Sequence, residues 1–156
     1  GHSLKGMVML DEAQQEELSL KIFVVLTRAY NAIRKHIEED IKSIGLNPTE
    51  FAVLELIYSK GDHPIQKIGE KVLIASSSIT YVVDKLEKKN LLTRKPCPND
   101  RRVTYASITE AGTAFMNDIF PKHRAAIHKI CAGLDADEKK MLIELMKKLG
   151  YYAENL

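Results

Sequence analysis

No apolar run in this 156-residue chain approaches the ~20 residues needed to cross a bilayer; the longest is Ile22 to Leu26. A secretory leader is also lacking, so the sequence predicts a soluble, cytoplasmic protein with no membrane partner. Cysteine is scarce: Cys97 and Cys131 alone cannot build a disulfide framework, which fits a reducing compartment. No glycine-rich phosphate loop, nucleophile elbow or Cys-x-x-Cys pair is present, and no cofactor is implied. The histidines make no metal site either. His123 and His128 are five residues apart, ~140° around a helix, so they cannot share an ion as an i, i+4 pair can. Together these absences speak against an enzyme. No internal repeat or low-complexity tract occurs.

What is present is a 45% apolar sequence, enough for one sizeable core and so for a single domain. Residues 1–6 read as a cloning remnant ahead of a native start at Met7, leaving 7–156 for the domain. The net charge of +2 is unevenly distributed. Between Pro64 and Arg102 nine Lys or Arg face four acids, a balance of +5, and the remainder of the chain sums to −3. A basic centre in a mildly acidic frame is what a polyanion-binding surface requires, although a solvated lysine-rich helix end would look similar.

Hydrophobic spacing orders the elements. Leu18, Ile22, Val25, Ala29, Ile33 and Ile37 recur at helical steps over a helix of about 11–42, long enough that part of its stripe calls for a partner outside the protomer. A second helix is expected from Thr49, with the Thr49 hydroxyl as cap and Phe51, Leu54, Ile57 and Tyr58 inward. Pro64-Ile65 is extended, a short helix follows from Gln66 to Val72, and Leu73-Ile74-Ala75 turns the chain. The next helix, Ser76 to Asn90, buries Ile79, Val82, Val83 and Leu86 and leaves its serine-rich opening turns outward. Leu91 to Lys95 and Val103 to Ile108 are short strands around a tight turn at Pro98-Asn99-Asp100. Thr109 opens a fifth helix that Pro121 is expected to kink or restart. Asp135 and Glu138 form a capping-box start for a last helix whose face is Met141, Leu142, Leu145, Met146, Leu149 and Tyr152. The fold class is mainly α with a small β-hairpin wing, α+β. It reads as a winged helix-turn-helix at about 49–109 between long helical segments at about 11–42 and 110–153.

With those elements placed, the chain resembles the MarR family of bacterial transcription regulators along nearly its whole length. Asp100-Arg101-Arg102, then Ile108-Thr109 and Gly112, match the family's Asp-x-Arg wing and its Leu-Thr-x-x-Gly helix start, with Ile108 where Leu is usual. The resemblance implies an obligate homodimer joined through the first and last helices, which makes the segments at about 11–42 and 110–153 dimerisation helices. It also implies binding to a palindromic double-stranded DNA operator, commonly as a repressor released by a small aromatic, phenolic or electrophilic effector.

The candidate site residues follow. Ser77, Ser78, Thr80 and Tyr81 are placed to reach base edges, and Lys85, Arg94, Lys95, Arg101 and Arg102 to contact phosphate or, for Arg102, the minor groove. Asp100 would be repelled by phosphate, so its expected role is to pair with an arginine and brace the wing. Cys97, between two prolines and near Arg94 and Lys95, is a candidate redox sensor. Against that, thiol-sensing members of the family commonly carry their cysteine near the first helix. The family's usual effector pocket suggests Phe23, Tyr30, His36, Phe51 and Phe115 as lining, with core packing as the alternative for each. A winged-helix protein-interaction module without duplex binding is the second functional class left open.

Overall fold

The computed structural model describes residues 9–72 and 76–156, with only the backbone of Ser76 and Ser77. The elements run α1 (Glu12–Ser43), α2 (Pro48–Lys60), β1 (His63–Pro64), α3 (Ile65–Val72), α4 (Ser76–Lys88), β2 (Leu92–Pro96), β3 (Thr104–Ile108), α5 (Glu110–Ile130) and α6 (Ala136–Glu154). The expected turn at Leu73-Ile74-Ala75 lies outside the described residues. The chain divides into two units, Gly1–His36 and Ile37–Leu156.

The first unit is the N-terminal part of α1. Asp11 caps it, accepting from the Gln14 N–H at 2.8 Å, while the Gln14 side chain accepts from the Asp11 N–H at 3.0 Å. Leu18, Ile22, Phe23, Val25, Tyr30 and Ile33 are exposed along it.

The second unit holds the core. Val53, Leu54 and Ile57 of α2 pack with Ile68 of α3, Ile79, Val83 and Leu86 of α4, Leu92 of β2, Ala106 of β3 and Met116 of α5, all essentially solvent-free. Burying each large aliphatic contributes about 1.5–3 kcal/mol, so this cluster supplies most of the driving force for the lobe. Helix α2 is the central one, apolar on more than one side because α3, α4, α5 and β3 all touch it. Its start differs from expectation. Asn47, not Thr49, is the cap, Pro48 occupies the first turn, and Glu50 returns a bond to the Asn47 N–H at 3.1 Å. Pro48 suits that position because its missing N–H would have had no helical partner.

The sheet has three antiparallel strands in the order β1-β3-β2. The hairpin pairs Leu92 with Ile108 through Pro96 with Thr104. His63-Pro64 adds a third strand on the other side of β3, opposite Ala106 and Tyr105. Two residues, one a proline, carry no alternation to read, and an edge position tolerates the missing N–H.

Helix α4 stops two residues earlier than its spacing suggested. Asn90 takes φ 60°, its N–H bonds to the Glu87 carbonyl, and the Leu91 N–H bonds back to the Leu86 carbonyl. This is a left-handed helix stop with Asn in the place often held by Gly. Helix α5 runs unbroken through Pro121, so the expected restart does not occur. Pro121 and Asn117, four residues back, are both exposed, so the carbonyl deprived of its partner lies on the solvent side. The start of α6 agrees with the sequence: Asp135 and Glu138 bond reciprocally at 2.8 and 3.0 Å. Its apolar residues, Met141 through Tyr152, are exposed.

The Thr-x-x-Gly element joins these pieces. Thr109 Oγ1 donates to the Asn90 carbonyl at 2.7 Å and accepts from the Gly112 N–H at 2.8 Å, while the Thr109 N–H bonds to the Leu91 carbonyl at 3.1 Å. A Cβ on Gly112 would fall on the Leu91 carbonyl oxygen and come within 2.9 Å of Ile108 Cγ1. Gly112→Ala is therefore expected to destabilise the lobe by about 1–3 kcal/mol, read as a lower urea midpoint at unchanged slope. A midpoint equal to wild type would show that the backbone yields there at no cost.

Glu50 is 4% exposed and pairs with Lys89, Oε2 to Nζ 2.8 Å. Burial pushes its carboxyl pKa up. The Lys89 hydrogen bond, the Asn47 N–H and the charges of Lys89 and Lys85 together outweigh that, and the net direction is down. A depressed folded value stabilises the fold above the unfolded value of about 4.3, and that stability is lost as pH falls from there through the folded value. Glu50→Gln should flatten this acid limb in urea titrations below about pH 4.3. An unchanged limb would assign the acid sensitivity to other carboxylates.

Candidate nucleic-acid interface

Because Ile79, Val82, Val83 and Leu86 commit one face of α4 to the core, the opposite face is open. Ser78, Thr80, Tyr81 and Lys85 are exposed on it; the Ser77 side chain lies outside the described residues. Lys85 Nζ sits 5.0 Å from the centre of the Tyr81 ring. Its pKa is raised, chiefly by the hydrogen bond with the Tyr81 hydroxyl. Small hydroxyls, one aromatic edge and one fixed cation are a set that can approach a groove closely and bond within it.

The wing continues the hairpin beyond its strands through the Cys97 N–H to the Val103 carbonyl, 3.0 Å, and closes with the Val103 N–H on the Asp100 carbonyl, 3.1 Å. Asp100 Oδ1 accepts from the Arg102 backbone N–H at 3.0 Å and from Arg102 Nε at 3.2 Å. The Arg102 side-chain hydrogen bond, then the backbone one, holds the Asp100 carboxyl below the usual range. Arg102 is nonetheless 90% exposed, so its guanidinium is oriented from below and open above. Arg101 and Lys95 are exposed and Cys97 is half-buried.

Arg94 stands apart from the other basic candidates. It reaches from β2 to α4, 2.6 Å from Asp84 and 2.6 Å from Glu87, with its backbone N–H on Glu87 as well. Its side chain is 26% exposed and its charge is matched by two carboxylates, so it fixes the angle between wing and helix instead of offering a free cation. Spacing could not show this, because Asp84 and Glu87 look like ordinary solvated helix residues until β2 folds back beside them. Lys67 and Lys71, one turn apart on the exposed side of α3, were not singled out from sequence. Their i, i+4 spacing opposite the buried Ile65 and Ile68 was the available signal.

The effector candidates fall in both units. Phe23, Tyr30 and His36 are exposed on α1 in the first. In the second, Phe51 is buried and Phe115 packs against the core. The sequence did not anticipate what surrounds Phe51. His123 stacks obliquely on it, ring centres 4.5 Å apart, and pairs with Asp40, Nδ1 to Oδ2 3.3 Å. Phe120 lies beside both His123 and Tyr58, and the Tyr58 hydroxyl donates to Asn117 Oδ1 at 2.7 Å. Asp40 and His123 are 83 residues apart, beyond any local pattern. Among the described residues no group of three His, Cys, Asp or Glu side chains could hold a metal, and no helix is long and apolar enough to cross a membrane.

Removing Arg94 would leave Asp84 and Glu87 side by side without a counter-charge. Arg94→Ala should cost about 1–3 kcal/mol of stability in urea unfolding. A change below about 0.5 kcal/mol, the level of an exposed pair, would mean that the clamp contributes nothing to the fold.

The family model described as MarR family matches residues 46–104, from the loop before α2 to the first residue of β3. The HTH-type transcriptional regulator MhqR of Bacillus subtilis is 56% identical over 138 residues, 88% of this chain and 95% of the relative. The transcriptional repressor MprA of Escherichia coli is 29% identical over 132 residues, 81% of this chain and 75% of that protein. Among solved structures, Sco3205, a MarR family transcriptional regulator from Streptomyces coelicolor in complex with DNA, superposes with a TM-score of 0.75 at 20% identity, over 92% of this chain and 90% of that one. The match in fold and the identity across nine-tenths of a named regulator lead to one conclusion: the chain belongs to the MarR family of transcriptional regulators.

Proposed function

We propose that this chain is a homodimeric repressor that binds a palindromic duplex operator through α4 and the wing, and that a small aromatic or electrophilic effector releases it. As a member of its family it is a DNA-binding transcription regulator. The observation that carries the finer reading is Arg102, oriented by Asp100 and open to solvent, in the same unit as an α4 face of exposed hydroxyls and a lysine held near the Tyr81 ring. In this reading Ser77, Ser78, Thr80 and Tyr81 read base edges, and Arg102 enters the adjacent minor groove. Lys85, Lys95 and Arg101 meet phosphates, joined by Lys67 and Lys71 on α3, the helix that crosses the backbone in such motifs. Arg94 passes from phosphate contact to positioning.

A dimer follows from unmet apolar surface. Leu18, Ile22, Val25 and Ile33 on α1, and Met141, Leu142, Leu145, Met146, Leu149 and Tyr152 on α6, are exposed in the single chain. A second copy covers such faces by two-fold symmetry and sets two reading helices about one DNA turn, ~34 Å, apart. The effector reading draws, within the second unit, on Phe51, Phe115, Phe120, Tyr58 and His123, apolar rings with polar handles. A ligand that favours a lobe spacing out of step with the half-sites would lower operator affinity without dissociating the dimer. The place of action is the cytoplasm, where the operator is.

The test is operator binding by wild type and Arg102→Ala in anisotropy titrations at several salt concentrations, on duplex recovered by genomic pull-down. The variant should bind at least about tenfold more weakly, about 1.4 kcal/mol. Binding equal to wild type at physiological salt would overturn the wing assignment. Wild-type binding with no salt dependence would instead favour a protein-interaction module.

A further inference from the structure

One buried carboxylate ties three separate segments of the second unit together. Glu50 Oε1 accepts from the Asn47 N–H, 3.1 Å, and its Oε2 accepts from Lys89 Nζ, 2.8 Å. The same ammonium donates to the Gly45 carbonyl at 3.2 Å. Gly45 belongs to the elbow between α1 and α2 and holds φ 83°, a conformation open mainly to glycine. Lys89 is the residue that follows α4, immediately before the left-handed stop at Asn90. The elbow, the first turn of α2 and the last turn of α4 therefore converge on one ion pair.

The pair is asymmetric in a way that suits a movable link. Glu50 has nowhere to go, since its side chain is 5% exposed and built into the α2 capping box. Lys89 is 40% exposed on its side chain, so water already reaches the cation and can replace the carboxylate if the two part. An apolar pair of like volume would pack at least as well in energy but would hold no direction. The bond to Gly45 matters most, because it carries α4 to the backbone segment that directly follows the end of α1. Arg94 anchors the same C-terminal half of α4 to β2, through Asp84 and Glu87.

We propose that Glu50 and Lys89 form a latch that sets the position of α4 against the α1–α2 elbow, so that operator affinity depends on the closed pair although neither residue touches DNA. The latch rests on the reading that α4 binds duplex DNA. It makes both side chains positioning residues, and it makes the elbow the place where a displacement of α1 is passed to the reading helix.

The experiment measures operator affinity of the full chain against salt for wild type, Glu50→Gln, Lys89→Met, Lys89→Gln, Lys89→Arg and the double variant Glu50→Gln/Lys89→Met. Urea unfolding of each confirms that it is folded at the assay temperature, and Lys89→Gln stands in if Lys89→Met is not. The expected result is a loss of at least about fivefold for Glu50→Gln and for the neutral Lys89 variants, with the salt slope of wild type retained. The double variant binds no worse than the weaker single one, and Lys89→Arg recovers most of the affinity. A merely structural pair would leave the affinity of the folded protein unmoved, and that outcome overturns the latch. So does a Lys89→Met slope lower by about one with Glu50→Gln binding as wild type, because Lys89 would then be a phosphate contact. If Arg102→Ala weakens binding while every latch variant matches wild type, the DNA reading stands and the latch alone falls. If wild type binds no duplex, both fall.

Discussion

The close approach of α5 to the backbone at Leu91 is the constraint on which the DNA-facing lobe depends. At that point the end of α4, the start of β2, the end of β3 and the first turn of α5 share a few ångströms, and Thr109 satisfies the carbonyls of both Asn90 and Leu91. Only a residue without a side chain fits at 112. The left-handed turn at Asn90 and the glycine two elements later are thus one device, because the first brings the carbonyl forward and the second makes room for it. The hairpin leaves this junction in a fixed direction, and that direction decides where the wing stands relative to α4.

Charge in the lobe is sorted by what folds over it. Arg94 and Lys89 face carboxylates at 2.6 and 2.8 Å and hold the C-terminal half of α4. Arg101, Lys95, Lys85, Lys67 and Lys71 stay exposed. The local balance of +5 already subtracts Asp84 and Glu87, and Glu50, which lies outside that stretch and pairs with Lys89, lowers it by one further charge. Cations paired to carboxylates give position and open ones give attraction.

Much of this was legible before any coordinates. Long helices announce themselves through repeated spacing, and reciprocal caps through residue type at fixed distance, so Asp135 with Glu138 and the Thr109 start were readable. The Asn47 cap was harder, because Asn-Pro equally signals a stop, and Pro48 is both a poor continuation of α1 and a good beginning for α2. Strand β1 is too short to carry a period. Of the two outcomes expected at Pro121, the restart does not occur, because the bond it removes is lost on the solvent side of the helix. The paired roles of Arg94 and Lys89, and the meeting of His123 with Asp40 beside Phe51, depend on contacts across 7 to 83 residues. A single sequence shows such residues as charges and not as pairs. The motif at 100–102 was visible for the opposite reason, since brace and reader are neighbours in the chain.

That adjacency has a consequence for selectivity. Asp100 competes with any other acceptor for the Arg102 guanidinium, and under the proposed wing assignment it would do so at every position along a duplex. Ordinary backbone phosphates, bathed in counterions, offer little beyond what the carboxylate already provides. A narrow groove, where the potential deepens, offers more. On that assignment the brace would lower the residence time of the wing on unrelated sequence more than on a fitting site. An arginine slightly reluctant to leave home would then favour a search among a genome's worth of phosphates.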